Sequence, residues 1–180
     1  MSSPEIAAAV LSALGVWLTA RRWLVCWPVS LLASLLYGWV FMTARLYADM
    51  LLQAVFCAFL IYGWRHWNAL PDIRPIEPPR RTAIRDILAG AVGALCWGLA
   101  LAHWTDDPAP FTDAGLSAYS IVGQFWMARR YRACWLLWII VDALYVWLFM
   151  TRALYPTAAL YAGFIVLAAD GWRAWRRRTI

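Results

Sequence analysis

The chain has 180 residues, of which 64% are hydrophobic and 14% charged, and carries a net charge of +6. Soluble domains run at roughly 45–50% apolar and about 25% charged, so too few polar side chains remain to cover a water-soluble core. All sixteen basic residues are Arg and lie between apolar runs, which argues against a nucleic-acid partner and makes them orientation signals beside a lipid bilayer.

Seven spans follow along the chain, near 4–20, 24–44, 46–63, 86–104, 112–128, 133–150 and 154–171, each close to the length needed to cross the hydrocarbon. The first has Glu5 before it and Arg21-Arg22 after it. That is the reverse of the charge order of a secretory signal, so it is expected to stay as a helix. Pro28 falls in the first turn of its span, where proline is tolerated. Asn68 to Arg85 is rich in Pro and Arg and is expected to form an exposed loop joining two halves. Span four lacks strong polar groups apart from His103 and reads as a linker. Tight turns are expected near Arg45 and Arg152. The chain thus divides into a first triple-helix bundle (1–67), a cytoplasmic loop plus linker helix (68–111) and a second bundle with a basic tail (112–180).

With this span count, fourteen of the sixteen arginines fall on one side of the bilayer. They follow spans one (Arg21, Arg22), three (Arg65, Arg74, Arg80, Arg81, Arg85), five (Arg129, Arg130, Arg132) and seven (Arg173, Arg176, Arg177, Arg178). Only Arg45 and Arg152 fall opposite, alongside Asp106 and Asp107. The positive-inside rule then puts the N-terminus out and the C-terminus in.

A shift of 108 residues superposes the sequence on itself without a gap. Arg21-Arg22 meets Arg129-Arg130, Cys26-Trp27 meets Cys134-Trp135, Phe41-Met42-Thr43 meets Phe149-Met150-Thr151, and Gly63-Trp64-Arg65 meets Gly171-Trp172-Arg173. Between 21–67 and 129–175, 19 of 47 positions are identical. Three spans repeated directly would invert the second copy, and span four restores its orientation. The expected architecture is an all-α membrane protein of 3+1+3 parallel repeats, an arrangement of transporters in which two bundles rock about a site between them.

Polar side chains inside spans are costly and mark candidate sites. In span six, Trp135, Trp138, Asp142, Tyr145 and Phe149 share a face. The matching face of span two carries Trp27, Ser30, Ser34, Tyr37 and Phe41. Asp49 and Gln53 lie a turn apart in span three, opposite Thr157 and Tyr161 in the repeat. Asp113, Ser117, Ser120 and Gln124 share a face of span five. The candidate contacts are Trp135, Trp138, Asp142, Tyr145, Gln53, Asp49, Gln124, Ser120, Tyr37, Ser34 and Tyr161. Aromatic faces stack on flat rings and attract cations, and a carboxylate compensates positive charge in a low-dielectric cavity. An aromatic cation satisfies this lining.

Other polar and aromatic residues read as scaffold. Trp64, Trp67, Trp104, Trp172 and Trp175 sit at span ends and are expected to anchor at the interface. Asp49 and Asp113 stand where helix-start residues would, and His66 and His103 are expected at loops or interfaces. Cys26, Cys57, Cys96 and Cys134 fit as small apolar fillers. No catalytic grouping, metal spacing or phosphate loop emerges, so neither an enzyme nor a cofactor is expected. A solute carrier and a non-transporting receptor or assembly subunit both remain open, and a homo-oligomer is plausible for so small a chain.

The run from Ser120-Ile-Val-Gly-Gln through Arg129-Arg-Tyr and Trp135-Leu-Leu-Trp-Ile-Ile-Val-Asp, with Leu154-Tyr155 and Gly171-Trp172, closely resembles the PnuC family of vitamin transporters. Leu46-Tyr47-Ala48-Asp49, Leu52-Gln53 and Tyr62-Gly63-Trp64-Arg65-His66-Trp67 agree with it. The resemblance implies a fold similar to the SWEET sugar carriers in a bacterial inner membrane. It also implies facilitated diffusion of nicotinamide riboside, or in subgroups thiamine or riboflavin, with a cytoplasmic kinase trapping the product. It would have Trp135 and Trp138 hold the flat ring, with Gln53 and Asp142 as further contacts.

Overall fold

The computed structural model describes residues 3–43, 47–70, 72–105 and 109–176. Arg45, Asp106, Asp107, Arg177 and Arg178, used above to orient the chain, lie outside the described residues, as do the side chains of Tyr47 and Ala48. Seven helices follow one another: α1 (Ser3–Ala20), α2 (Cys26–Thr43), α3 (Tyr47–Asn68), α4 (Arg80–Trp104), α5 (Pro110–Ala128), α6 (Cys134–Thr151) and α7 (Tyr155–Arg176). Three of them, α2, α4 and α6, are long and apolar enough to cross a membrane on those grounds alone. Large apolar side chains such as Val10, Leu35, Val92, Ile140, Trp147 and Val166 point outward, as expected where lipid is the solvent.

Within the helices, proline is confined to the first turns: Pro4, Pro28, Pro110 and Pro156 lie there in α1, α2, α5 and α7, where no intrahelical N–H bond is lost. Three helices end alike. Arg22, Arg130 and Ala153 adopt left-handed φ of 61°, 63° and 56° after α1, α5 and α6. The next residue's N–H returns to the last turn, as Tyr131 does to the Trp126 carbonyl at 2.9 Å. These are Schellman stops, and those at Arg22 and Arg130 coincide under the repeat.

Helix ends differ from the expected spans on one side. α3 and α7 continue to Asn68 and Arg176, and α4 starts at Arg80 rather than near 86. Hydropathy marks the edge of the hydrocarbon, whereas a helix can run on into the headgroup region with its arginines solvated. The expected exposed loop is also partly tied down. Ile76 donates its N–H to the Arg130 carbonyl at 3.0 Å and accepts from the Arg132 N–H at 2.9 Å. Arg132 pairs with Glu77 at 2.6 Å and lies 4.3 Å over the Trp172 ring.

Neighbouring helices form a closed circle. Contacts run α1–α2–α3 in the first bundle, α5–α6–α7 in the second, and α3–α5 and α7–α1 between them. α2 and α6 are thus the middle helices of their bundles. α4 lies outside the circle against α5. Its approach uses small residues spaced a turn apart, Gly90, Ala94 and Gly98, with Gly90 against Tyr119 and Val122 and Gly98 against Phe111; such stripes let membrane helices come close. Asp86 at its start is buried and accepts from Trp126 Nε1 at 2.9 Å, so the linker helix carries a polar tie that its apolar composition did not announce.

The repeat also explains how each bundle is locked. Trp27 lies on Gly63 and Trp135 lies on Gly171, the same pair in each copy. A Cβ on Gly171 would come within 2.6 Å of the Trp135 ring. Gly171→Ala is therefore expected to lower stability by about 1–3 kcal/mol, the scale of overpacking. Gly163→Ala on the same helix meets no atom within 4 Å and should be neutral or mildly stabilising. Thermal unfolding in detergent compares the two directly, and equal midpoints would remove the packing argument.

Candidate functional site

At the arginine-rich end the circle is filled by tryptophan. Trp27, Trp67, Trp135 and Trp175 are fully buried. Trp27 meets Trp67 edge-on at 5.0 Å, and Trp135 meets Trp175 edge-on at 5.4 Å. Trp67 and Trp175 touch across the bundles at 6.0 Å. Trp67 Nε1 also donates to the Ala128 carbonyl at 3.0 Å, tying α3 to the end of α5. Trp67 and Trp175 are therefore not interface anchors. They fill the interior because the repeat turns both helix ends toward the same axis. Trp104 is 78% exposed, which fits the anchoring role expected of it, and Trp64 is also exposed. Trp172 carries Arg132 instead.

The candidate residues lie further along the same helices. Ser34 on α2 donates to Gln53 Oε1 on α3 at 2.7 Å, so the amide orientation is set within the first bundle. The repeat places Asp142 at the position of Ser34 and Tyr161 at that of Gln53. Asp142 is only 5% exposed. Among the described residues no side chain hydrogen-bonds or ion-pairs with its carboxyl. Tyr161 packs at a tilt against Tyr145 at 4.6 Å and Phe149 at 5.3 Å, within electrostatic reach of Asp142. The Ser120 hydroxyl faces the Tyr145 phenol, and Ser120 and Gln124 are buried on α5. Tyr37 stacks on Phe41 at 5.9 Å. The structure thus brings Asp142, Tyr145, Tyr161 and Ser120 together, and holds Ser34 and Gln53 as their counterparts in the first bundle.

Two tryptophans of the Trp-x-x-Trp run separate. Trp135 belongs to the buried cluster described above. Trp138 lies one turn deeper, with its ring 3.1 Å from where a Cβ on Gly123 would stand. In the first copy the same glycine position, Gly15, receives the Ser30 side chain. One side chain of the repeat is thus small and the other is an indole, and α5 and α6 pack less extensively than α1 and α2. The Trp138 indole N–H is buried without an acceptor among the described residues. Asp49 is exposed in the first turn of α3, and Asp113 at the start of α5 pairs with Arg152 at 3.2 Å, so Asp113 supports an end of the bundle. The Gly15/Ser30 and Gly123/Trp138 correspondence was present in the repeat but shows its meaning only once the helices are adjacent.

Residues 2–177 match the family model described as nicotinamide mononucleotide transporter. The chain belongs to this family. Its members are membrane transporters of a small molecule, not enzymes. The chain is 27% identical over 169 residues to the nicotinamide riboside transporter PnuC of Escherichia coli strain K12, covering 78% of this chain and 71% of that one. It is 28% identical over 186 residues to the riboflavin/roseoflavin transporter RibM of Streptomyces davaonensis, covering 97% and 85%. A crystal structure of the vitamin B3 transporter PnuC superposes with a TM-score of 0.79 at 24% identity, over 97% of this chain and 80% of that chain, and shares the fold.

The tryptophan cluster gives a direct test. Trp175→Ala removes a fully buried indole and should cost about 3–5 kcal/mol, whereas Trp104→Ala at the surface should change stability by less than about 0.5 kcal/mol. Unfolding midpoints of the two purified variants measure this. Equal midpoints would return Trp175 to the role of an anchor.

Proposed function

We propose that this transporter is a facilitator for an aromatic cationic vitamin precursor, nicotinamide riboside first and thiamine second. The observation that carries the reading is the buried Asp142 carboxyl, which has no side-chain partner among the described residues. An unpaired carboxylate in the bilayer interior costs about 2.5–3.5 kcal/mol on insertion scales, and a cationic ring arriving beside it offsets that cost. Trp138, one turn away on the same face, offers the ring a stacking platform. Trp135, locked on Gly171, supports that platform from the scaffold. Tyr145, Tyr161, Ser120 and Gln124 supply hydrogen bonds to hydroxyl or amide groups, with Gln53 opposite, its amide turned by Ser34. Tyr37 extends the aromatic wall and Asp49 adds negative charge toward the far end.

The arginine-rich end is read as cytoplasmic, with the N-terminus outside the bacterial inner membrane. Passage to that side requires Trp67 and Trp175 to part, which a relative rotation of the two bundles would do. A cytoplasmic kinase acting on the released vitamin would keep the gradient inward, and a homo-oligomer is the expected assembly. The similarity to a riboflavin carrier supplies a second reading, in which the cargo is an uncharged flavin ring held by stacking and neutral hydrogen bonds.

The two readings part at one residue. Calorimetry of the purified protein with nicotinamide riboside, thiamine, riboflavin and sucrose gives the cargo. Asp142→Asn should weaken binding of a cationic ring by about 1–3 kcal/mol, the scale of a charge-assisted contact, with folding unchanged. Trp138→Ala should weaken it by about 1–3 kcal/mol, as for base–aromatic stacking. Riboflavin binding that is indifferent to Asp142→Asn would favour the flavin reading. Sucrose as the sole ligand would sink both.

A further inference from the structure

The two seams between the bundles are related by the repeat, and they differ in one charge. In each, an arginine one turn past an aromatic residue lies over that ring: Arg21 over Trp17 at 5.3 Å and Arg129 over Phe125 at 5.4 Å. At the α1–α7 seam Arg21 faces Asp170 at 3.8 Å. The residue equivalent to Asp170 at the α3–α5 seam is Tyr62. Among the described residues no carboxylate pairs with Arg129. One seam neutralises its arginine from within, and the other leaves it to its surroundings.

The α3–α5 seam also holds an apolar groove of about 420 Å³ lined by Val55, Ala58, Phe59, Tyr62 and Phe125. Phe59 meets Phe125 across it at 6.1 Å. His66 stacks on Tyr62 at 5.8 Å, and the charges of Arg129 and Arg130 act on its imidazole. The groove therefore ends, at the arginine-rich side, under Arg129, Arg130 and His66. It opens between two bundles whose exposed apolar faces are those expected to meet lipid.

We propose that this seam is a binding site for an anionic phospholipid, with one acyl chain in the groove and its phosphate at Arg129. The ligand must be apolar along most of its length and negative at one end, at the depth where helix α5 leaves the hydrocarbon. A lipid of the leaflet on the arginine-rich side meets all three conditions. A zwitterionic lipid meets only the first and third, because its own ammonium offsets the phosphate. The α1–α7 seam provides the internal control, since Asp170 already occupies the counter-charge position there.

Native mass spectrometry of the detergent-purified protein, with added phosphatidylglycerol or phosphatidylcholine of the same acyl chains, tests the site. The unmodified protein should retain phosphatidylglycerol in preference. Arg129→Gln should weaken that retention about fivefold, the worth of one arginine at a membrane surface. Arg21→Gln should leave it unchanged. Ala58→Trp keeps Arg129 but fills the groove, and should lose both lipids, which keeps the proposal testable if Arg129→Gln folds poorly. Equal retention of the two lipids would overturn it. So would equal loss in Arg21→Gln and Arg129→Gln, which would reduce the effect to the general basic belt. Dissociation of a second protein copy in Ala58→Trp, with lipid retention unaltered, would assign the groove to a subunit contact instead.

Discussion

Inside a bilayer, apolar surface gains nothing by leaving lipid for protein, so helices are held by close packing and by hydrogen bonds they cannot make elsewhere. The indole-on-glycine contact meets that requirement at the same place in both copies of the repeat. Trp27 on Gly63 and Trp135 on Gly171 let the starts of α2 and α6 nest against the ends of α3 and α7. Each indole also meets a second one edge-on within its bundle, Trp67 or Trp175, and the contact between Trp67 and Trp175 carries the packing across to the other bundle. The remaining features, from the closed circle of helices to the position of the polar lining, depend on those two locked corners.

Against that common frame, the inward positions differ. Ser34 and Gln53 satisfy one another, whereas Asp142 and Tyr161 at the corresponding places do not. Ser30 fills its glycine notch at Gly15, whereas the equivalent notch at Gly123 receives the Trp138 indole. A polar pair that is closed on itself orients but asks little of a ligand. An isolated carboxyl beside an indole asks for charge and for a flat surface. On the proposed reading, the second bundle supplies the contacts that select the ligand and the first supplies the facing wall.

Much of this was legible in the sequence. Seven spans, the repeat and the linker helix follow from hydropathy, arginine placement and self-similarity, because each is a periodic or sided property of the chain. The roles of the end tryptophans were not legible. Trp67, Trp104 and Trp175 all stand where an apolar run gives way to charge, yet only Trp104 faces out. Which way an indole points at a helix end depends on the neighbouring helix, and sequence alone does not give neighbours. The tie between Asp86 and Trp126 was hidden for the same reason, as was the pairing of Ile76 with the α5–α6 turn. For the site, the titratable residue and its face were visible from spacing, but the separation of Trp138 from Trp135 required the glycines they meet.

The segment that runs from α3 to α4 has a mechanical consequence. Because Ile76 is bonded on both sides to the α5–α6 turn and Glu77 holds Arg132, the chain is fastened to the second bundle before the linker helix begins. α4, packed on α5, would then move with that bundle in any relative rotation of the two. The covalent slack between the two halves shrinks to the few residues between Asn68 and Ile76. In a rocking of one bundle against the other, that short tether would act as the hinge pin, at the end of the molecule where the tryptophans close the interior. A pin there makes the opposite end swing through the wider arc.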